Sequence, residues 1–305
     1  MVATIISGEN PWVDCEFGRI GEVENMDKFM KKQLLLGALL VVAGALFTGC
    51  ASMKSGSCCQ DDCCAPEGTN FLILAYSNAV VDAAVATPDK VSTHLTPITP
   101  ANHRLSWRTN AQGVVQVKAA TFMNYAIATN YWSPGVHTFT SRDQWFTVYP
   151  DLKEFCAQYK GTNQVLRIKE LLGLPPSSPN DTVAEFWLDP AFAFRPAAEP
   201  AINSVSAGVT TSTNGPLIAL NDRIPSFWVG WFNNFYQSCD YGMSKGVEKS
   251  FPWTQLGYTY DWAPGQKTHF GLSEFVLPSG TLFKEKQVGV TVEVEALLPA
   301  ATYGK

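Results

Sequence analysis

The chain reads as an α+β protein, a mainly antiparallel sheet with about three helices packed on it. Three observations predict this. Short runs with period-two alternation, bounded by Gly, Pro and Asn turn signals, recur between residues 103 and 298. Three segments carry a helical period, and they do not alternate regularly with the strand runs as a parallel βαβ protein would require. Finally, 46% hydrophobic and 16% charged residues is the balance of a folded domain and not of a disordered chain.

Taken in order, residues 1–25 are acidic and unlike any secretion signal. They read as a translation start assigned too early, with Met26 or Met30 as the initiator. Residues 26–49 follow another logic: Lys31 and Lys32, an apolar run from Leu34 to Phe47, then Thr48 and Gly49. A charged n-region, a short apolar core and small residues at a cleavage point make a secretory signal peptide. Residues 50–70 are small, polar, rich in cysteine and free of periodicity, as a flexible tether is. Residues 71–305 are expected to form a single globular α+β domain.

Within that domain FLILAY (71–76) reads as a short strand and AVVDAAVAT (79–87) as a strand or short helix. HRLSWR (103–108) and VVQVKAATFM (114–123) flank the turn Thr109–Gly113 and make a hairpin. DQWFTVY (143–149) is a strand, and Pro150-Asp151 starts the helix DLKEFCAQY. Asn163 caps QVLRIKELLG, where Val165, Leu166, Ile168, Leu171 and Leu172 fall on one face and Gly173 ends the helix. VAEFWLD (183–189) is a further strand, and the Ala/Ser/Thr-rich stretch 196–215 reads as a surface excursion.

Pro225 opens the most strongly patterned helix, PSFWVGWFNNFYQS, with Phe227, Trp228, Trp231, Phe232, Phe235 and Tyr236 on one broad face. That face reads as a core helix on a sheet, with a surface that stacks glycans or lipids as the alternative. The last third is strand-rich again: TQLGYTYDW (254–262), GLSEFVL (271–277) and TLFKEKQVGVTVEVEALL (281–298).

Several functions are disfavoured by composition. Residues 50–305 hold 18 basic and 21 acidic residues, with no Lys/Arg run, so nucleic acid is not an expected partner. Beyond the signal no apolar run approaches the ~20 residues of a membrane-spanning helix. His94, His103, His137 and His269 have no metal-ligand spacing, and neither HExxH, a Walker loop nor GxGxxG occurs, so no cofactor is expected. Gly242-Met243-Ser244-Lys245-Gly246 matches G-x-S-x-G by letter. An aromatic helix precedes it and little helix can follow, the reverse of a nucleophile elbow.

Candidate chemistry lies in PWTQLGYTYDW and GLSEF. Asp261 and Glu274 sit among aromatics on neighbouring strand candidates. If the strands pair, both carboxyls could face one pocket lined by Trp253, Tyr260 and Trp262. Burial near aromatics raises a carboxyl pKa, and two close carboxyls split theirs, which is the basis of acid/base work on glycosides. The bland alternative is a strand-end Asp261 and a solvent-facing Glu274. The doublets Cys58-Cys59 and Cys63-Cys64 place four thiols within seven residues, weak candidates for a soft metal because no second cluster completes a site.

The ending Leu46-Phe47-Thr48-Gly49-Cys50 resembles the lipobox of bacterial lipoproteins, with Phe47 where that motif usually carries Leu. The resemblance implies that Cys50 is diacylated and becomes the first residue of the mature, extracytoplasmic protein. Ala51 and Ser52, where inner-membrane retention uses Asp, imply the outer membrane if the cell has two. Setting aside Cys15 and Cys50, six of the eight cysteines remain, and an even number in an exported protein fits disulfides, with Cys156 and Cys239 as a possible pair.

The phrases WFTVYPDLKEFC, LRIKELLGLPP, FWLDPAFAFRP, PWTQLGYTYDW and GLSEFVL resemble a group of uncharacterised bacterial proteins, which implies neither fold nor activity. SEFVLPSGTLF resembles the catalytic-glutamate strand of ADP-ribosyltransferases, but Leu272 stands where that family's E/Q-x-E pair needs its first member. The reading is a lipid-anchored envelope protein that binds or scaffolds. Its partners are the membrane, through the lipid, and an envelope glycan or protein. The alternative is an envelope hydrolase, carbohydrate-active, using Asp261 and Glu274.

Overall fold

The computed structural model describes residues 69–139, 142–209, 226–238, 246–277 and 290–305, all within one compact unit. The hairpin read from sequence is present: β1 (Trp107–Thr109) pairs with β2 (Val115–Met123), Trp107 facing Val117. Around β2 grows an antiparallel sheet of β3 (Gly135–Phe139), β4 (Gln144–Val148), β5 (Thr182–Leu188), β8 (Phe275–Leu277) and β9 (Val290–Pro299). Its order is β3-β9-β5-β2-β4-β8, with β1 also on β2. β6 (Tyr258–Tyr260) and β7 (Phe270–Ser273) form a separate two-stranded hairpin.

Strand alternation divides the core between the two faces of the sheet. Val117, Ala119, Phe146, Phe186, Phe275, Val292 and Val294 point to one side, where Ile98, Leu105, Ala128 and Trp132 cover them. Ala120, Phe122 and Val183 point to the other, against α3 (Tyr149–Gln158) and α4 (Gln164–Leu171) through Leu152, Ile168 and Leu171. The same face continues at Val276 and Trp145, which meet α5 (Ser226–Ser238). That helix is a core helix: Trp228, Trp231 and Phe232 are buried, and Trp231 stacks between Trp228 and Phe235 at 4.4 and 5.3 Å.

The fold class is therefore α+β with a mostly antiparallel sheet, but the described residues hold five α-helices rather than about three. The two additional ones are α1 (Thr69–Ala83) and α2 (Tyr125–Tyr131). FLILAY opens α1 instead of forming a strand. Tyr76, Ala79, Val80 and Ala83, spaced three or four apart, bury one helical stripe against Tyr260 and Trp262. α2 is short and capped by the Asn124 side chain, which accepts from the Ala126 N–H. As expected, the Asn163 side chain accepts from the Leu166 N–H at the start of α4, and Gly173 takes the left-handed conformation, φ 68°, just beyond its end.

The stretch read as a surface excursion begins in the interior. Pro196, Ala197 and Ala198 are buried, and Arg195 is wholly buried with its guanidinium stacked 4.7 Å over the Phe275 ring. No helix among the described residues is long and apolar enough to cross a membrane. Residues 1–68, with Cys15, Cys50, Cys58, Cys59, Cys63 and Cys64, lie outside the described residues, as do Cys239 and Gly242 to Lys245.

Candidate functional site: a cavity around Glu274

β2 and β4 pair at Ala119↔Val148 and Ala120↔Thr147. Beyond those pairs the strands part, because residues 121–123 stay with β5 while residues 144–146 pair with β8. The wedge between them contains a cavity of about 350 Å³, lined among the described residues by 120–123 of β2 and 142–147 of the β4 segment. α2 and the residue after it supply Ile127, Tyr131 and Trp132, and α3 and the end of α4 supply Leu152, Leu172 and Leu174. Thr259 and Glu274 complete the wall. A volume of this size with a mostly apolar, aromatic lining and a few polar groups falls within the range of small-molecule sites.

Glu274 sits at the joint where the chain leaves the β6–β7 hairpin and enters β8 at the sheet edge. Its N–H donates to the Gly257 carbonyl at 3.0 Å, and the same carbonyl accepts from Arg195 Nη1 at 3.2 Å. Arg195 also donates to carbonyls of Thr96, Ala201, Ile202 and Ser204, so one buried cation ties three backbone segments around the joint. Gly257 must be glycine there: at φ 77° a Cβ would lie 2.3 Å from Arg195 Cδ. Among the described residues Arg195 meets carbonyl oxygens and the Phe275 ring but no carboxylate, and burial lowers its pKa to about 10.

The Glu274 side chain is 6% exposed and opens on the cavity, and among the described residues no hydrogen bond or ion pair reaches its carboxyl. Burial pushes this carboxyl up to about 8. Phe146 and Phe275 form the last pair of the β4–β8 ladder, and the next residue on each side, Thr147 and Glu274, lines the cavity. Thr147 Oγ1 is likewise buried without a partner. Asp143 also lines the cavity, with its Oδ2 accepting from Trp231 Nε1 at 2.6 Å. The exposed Tyr131 and Arg142 stand among the lining residues. Behind Glu274 lies a separate void of about 10 Å³ bordered by Trp253 and Tyr260.

Of the two carboxylates singled out from the sequence, the structure brings only Glu274 to the cavity. Asp261 is 4% exposed and locked by Arg167, whose Nη1 and Nη2 donate to its two oxygens at 3.0 and 2.6 Å. Asp261 Oδ1 further accepts from the Ala263 N–H. Gly257, bonded to Glu274, precedes Asp261 by four residues, so roughly 13 Å of strand separates the two positions. β6 and β7 do pair, but that pairing sets the two carboxylates at opposite ends of the hairpin.

Trp253, Tyr260 and Trp262 are at most 5% exposed, so none offers a solvent-facing ring on which a glycan could stack. Trp253 packs edge-on against Phe235 of α5. The Tyr260 hydroxyl donates to Asp82, and the Trp262 indole N–H donates to the Leu174 carbonyl. Cys156 is a free thiol buried in the core under α3, and burial raises its pKa to about 11. Its expected partner, Cys239, lies outside the described residues.

The residues that sequence reasoning missed are Asp143, Thr147 and the apolar wall around them. DQWFTVY carries them, yet a strand pattern shows only which side chains share a face. The parting of β2 from β4, which opens the cavity, has no local signature. Comparisons with protein-family models, with curated proteins and with solved structures find no match to this chain.

Proposed function

We propose that this chain is a lipid-anchored cell-envelope protein, joined to the membrane through Cys50, whose domain binds a small, mainly apolar molecule in the Glu274 cavity. The observation that carries the binding reading is Glu274 itself: a carboxyl buried without a hydrogen-bond partner among the described residues, on the wall of a cavity of about 350 Å³. Its place on a cavity wall supports a role in meeting a ligand's polar group. The Cys50 ending and the tether after it support the envelope address.

A test is binding of the uncharged fluorophore N-phenyl-1-naphthylamine to the purified full chain. Saturable one-to-one binding is expected. Thr121→Phe, which fills the cavity from β2, should weaken it about tenfold while the circular dichroism spectrum stays unchanged. Absence of saturable binding, or a folded Thr121→Phe protein with undiminished affinity, would remove the cavity as the site.

A second reading, hydrolysis in the envelope, is favoured by one observation. A carboxyl held protonated near neutrality can serve as a general acid, and Glu274 has that property. Its companion in the cavity would be Asp143 rather than Asp261, since Asp143 is the other carboxylate among the described lining residues.

A further inference from the structure

Four carboxylates are buried among the described residues: Glu170, Glu185, Asp261 and Glu274. Three have a basic side chain within ion-pair distance. Lys118 Nζ is 2.8 Å from Glu185, Arg167 Nη2 is 2.6 Å from Asp261, and Arg167 Nη1 is 3.8 Å from Glu170. Glu274 departs from this pattern and lines the cavity. Elsewhere the fold supplies a cation to each carboxylate it buries, as the desolvation cost of an uncompensated charge demands. At Glu274 the space where such a cation would stand is cavity.

The rest of the wall fits the same occupant. Thr147, which lines the same cavity as Glu274, has its Oγ1 buried without a partner and able to accept a hydrogen bond. Trp132, Trp145, Phe139 and Phe146 line the same space with aromatic side chains, a lining suited to an apolar body. Asp143 adds a second carboxylate.

We propose that the ligand is a small organic cation, a primary or secondary amine on an apolar body, whose ammonium group pairs with the Glu274 carboxylate and donates to Thr147 while its body lies among the aromatic rings. This rests on the binding reading above and names its ligand class.

The pairing carries a proton with it. Glu274 unliganded holds its proton near neutrality, because burial raises its pKa. An incoming ammonium stabilises the carboxylate, so binding at pH 7 transfers the Glu274 proton to solvent, and amine affinity rises with pH until Glu274 is ionised in the free protein. The other charged or titratable groups facing the cavity among the described residues are Tyr131, Arg142 and Asp143, and Tyr260 borders the void behind Glu274.

The test uses three probes of one shape on the full chain by titration calorimetry: 4-phenylbutylamine, 4-phenylbutanol and 4-phenylbutanoate. At pH 8 the amine should bind about tenfold or more tightly than the alcohol, with the acid weakest, as a charge-assisted bond would give. At pH 7, titrations in buffers of different ionisation enthalpy should show proton release for the amine and none for the alcohol. Glu274→Gln should abolish the amine preference over the alcohol and the proton release. An amine that binds no better than the alcohol, or a preference that survives Glu274→Gln, overturns the cation proposal and leaves the cavity standing. Failure of all three probes together with the uncharged fluorophore overturns both.

Discussion

At the residue scale, the protonation of Glu274 makes a statement about stability as well as binding. Its carboxyl has a pKa near 8 in the fold against 4.5 for the unperturbed group. Between those values the folded state holds a proton that the unfolded chain has lost. This residue's contribution to stability therefore falls as pH rises from about 4.5 to about 8, then levels off. Glu274→Gln keeps the shape and removes the titration. The variant should match wild type near pH 5 and exceed it near pH 8.5 by on the order of 2–4 kcal/mol. Thermal melts from pH 5 to 9 measure this, and parallel profiles for the two proteins would show that Glu274 does not resist ionisation in the fold. Asp261, 13 residues earlier in the chain, is the contrast. Its bidentate bond to Arg167 makes it a structural anion that joins α4 to the β6–β7 hairpin.

At the scale of elements, the two aromatic-rich helices show how differently legible their roles were. The six aromatics of α5 already form one face in the sequence, and that face is buried against Trp145, Phe194, Trp253 and Val276. Trp228, wholly buried, stacks at 5.1 Å on Phe194 and donates its indole N–H to the Ala197 carbonyl at 2.9 Å. Trp228→Ala should cost about 3–5 kcal/mol in urea unfolding, whereas Leu74→Ala on the exposed side of α1 should cost under about 0.5. Equal losses at the two positions would place α5 outside the core.

α1 was harder to read, because six apolar residues in a row suit a buried strand as well as a helix. The choice was made by Tyr260 and Trp262, contributed from far along the chain, which give a helical stripe something to pack on. β3 was missed for a similar reason. GVHTF is mostly exposed and becomes a strand by adding to the edge of β9, His137 facing Val292.

At the scale of the whole molecule, the proposed membrane anchor and the cavity are two separate claims with separate tests. Metabolic labelling with palmitate should mark wild type and send it to the membrane fraction, while Cys50→Ser should lose both the label and the membrane association. Equal labelling of the two proteins would end the lipoprotein assignment whatever the cavity binds.

The sequence by itself determined the fold class, the hairpin around residues 109–113, the caps of α4 and the core face of α5. Each rests on periodicity or on a cap within a few residues, where the physics is local. It also marked Glu274 as a carboxyl among aromatics. Only the tertiary structure decided that Asp261 belongs to Arg167, that Trp253, Tyr260 and Trp262 are interior, and that Glu274 stands on a cavity wall. Those outcomes depend on pairings between segments up to about 180 residues apart, such as Tyr260 with Asp82. The cavity opens where the β2–β4 ladder stops after two residue pairs, while the outer edges go on pairing, β2 with β5 and β4 with β8. No local pattern records where that ladder stops, because each strand taken alone satisfies the same alternation whichever neighbour it keeps.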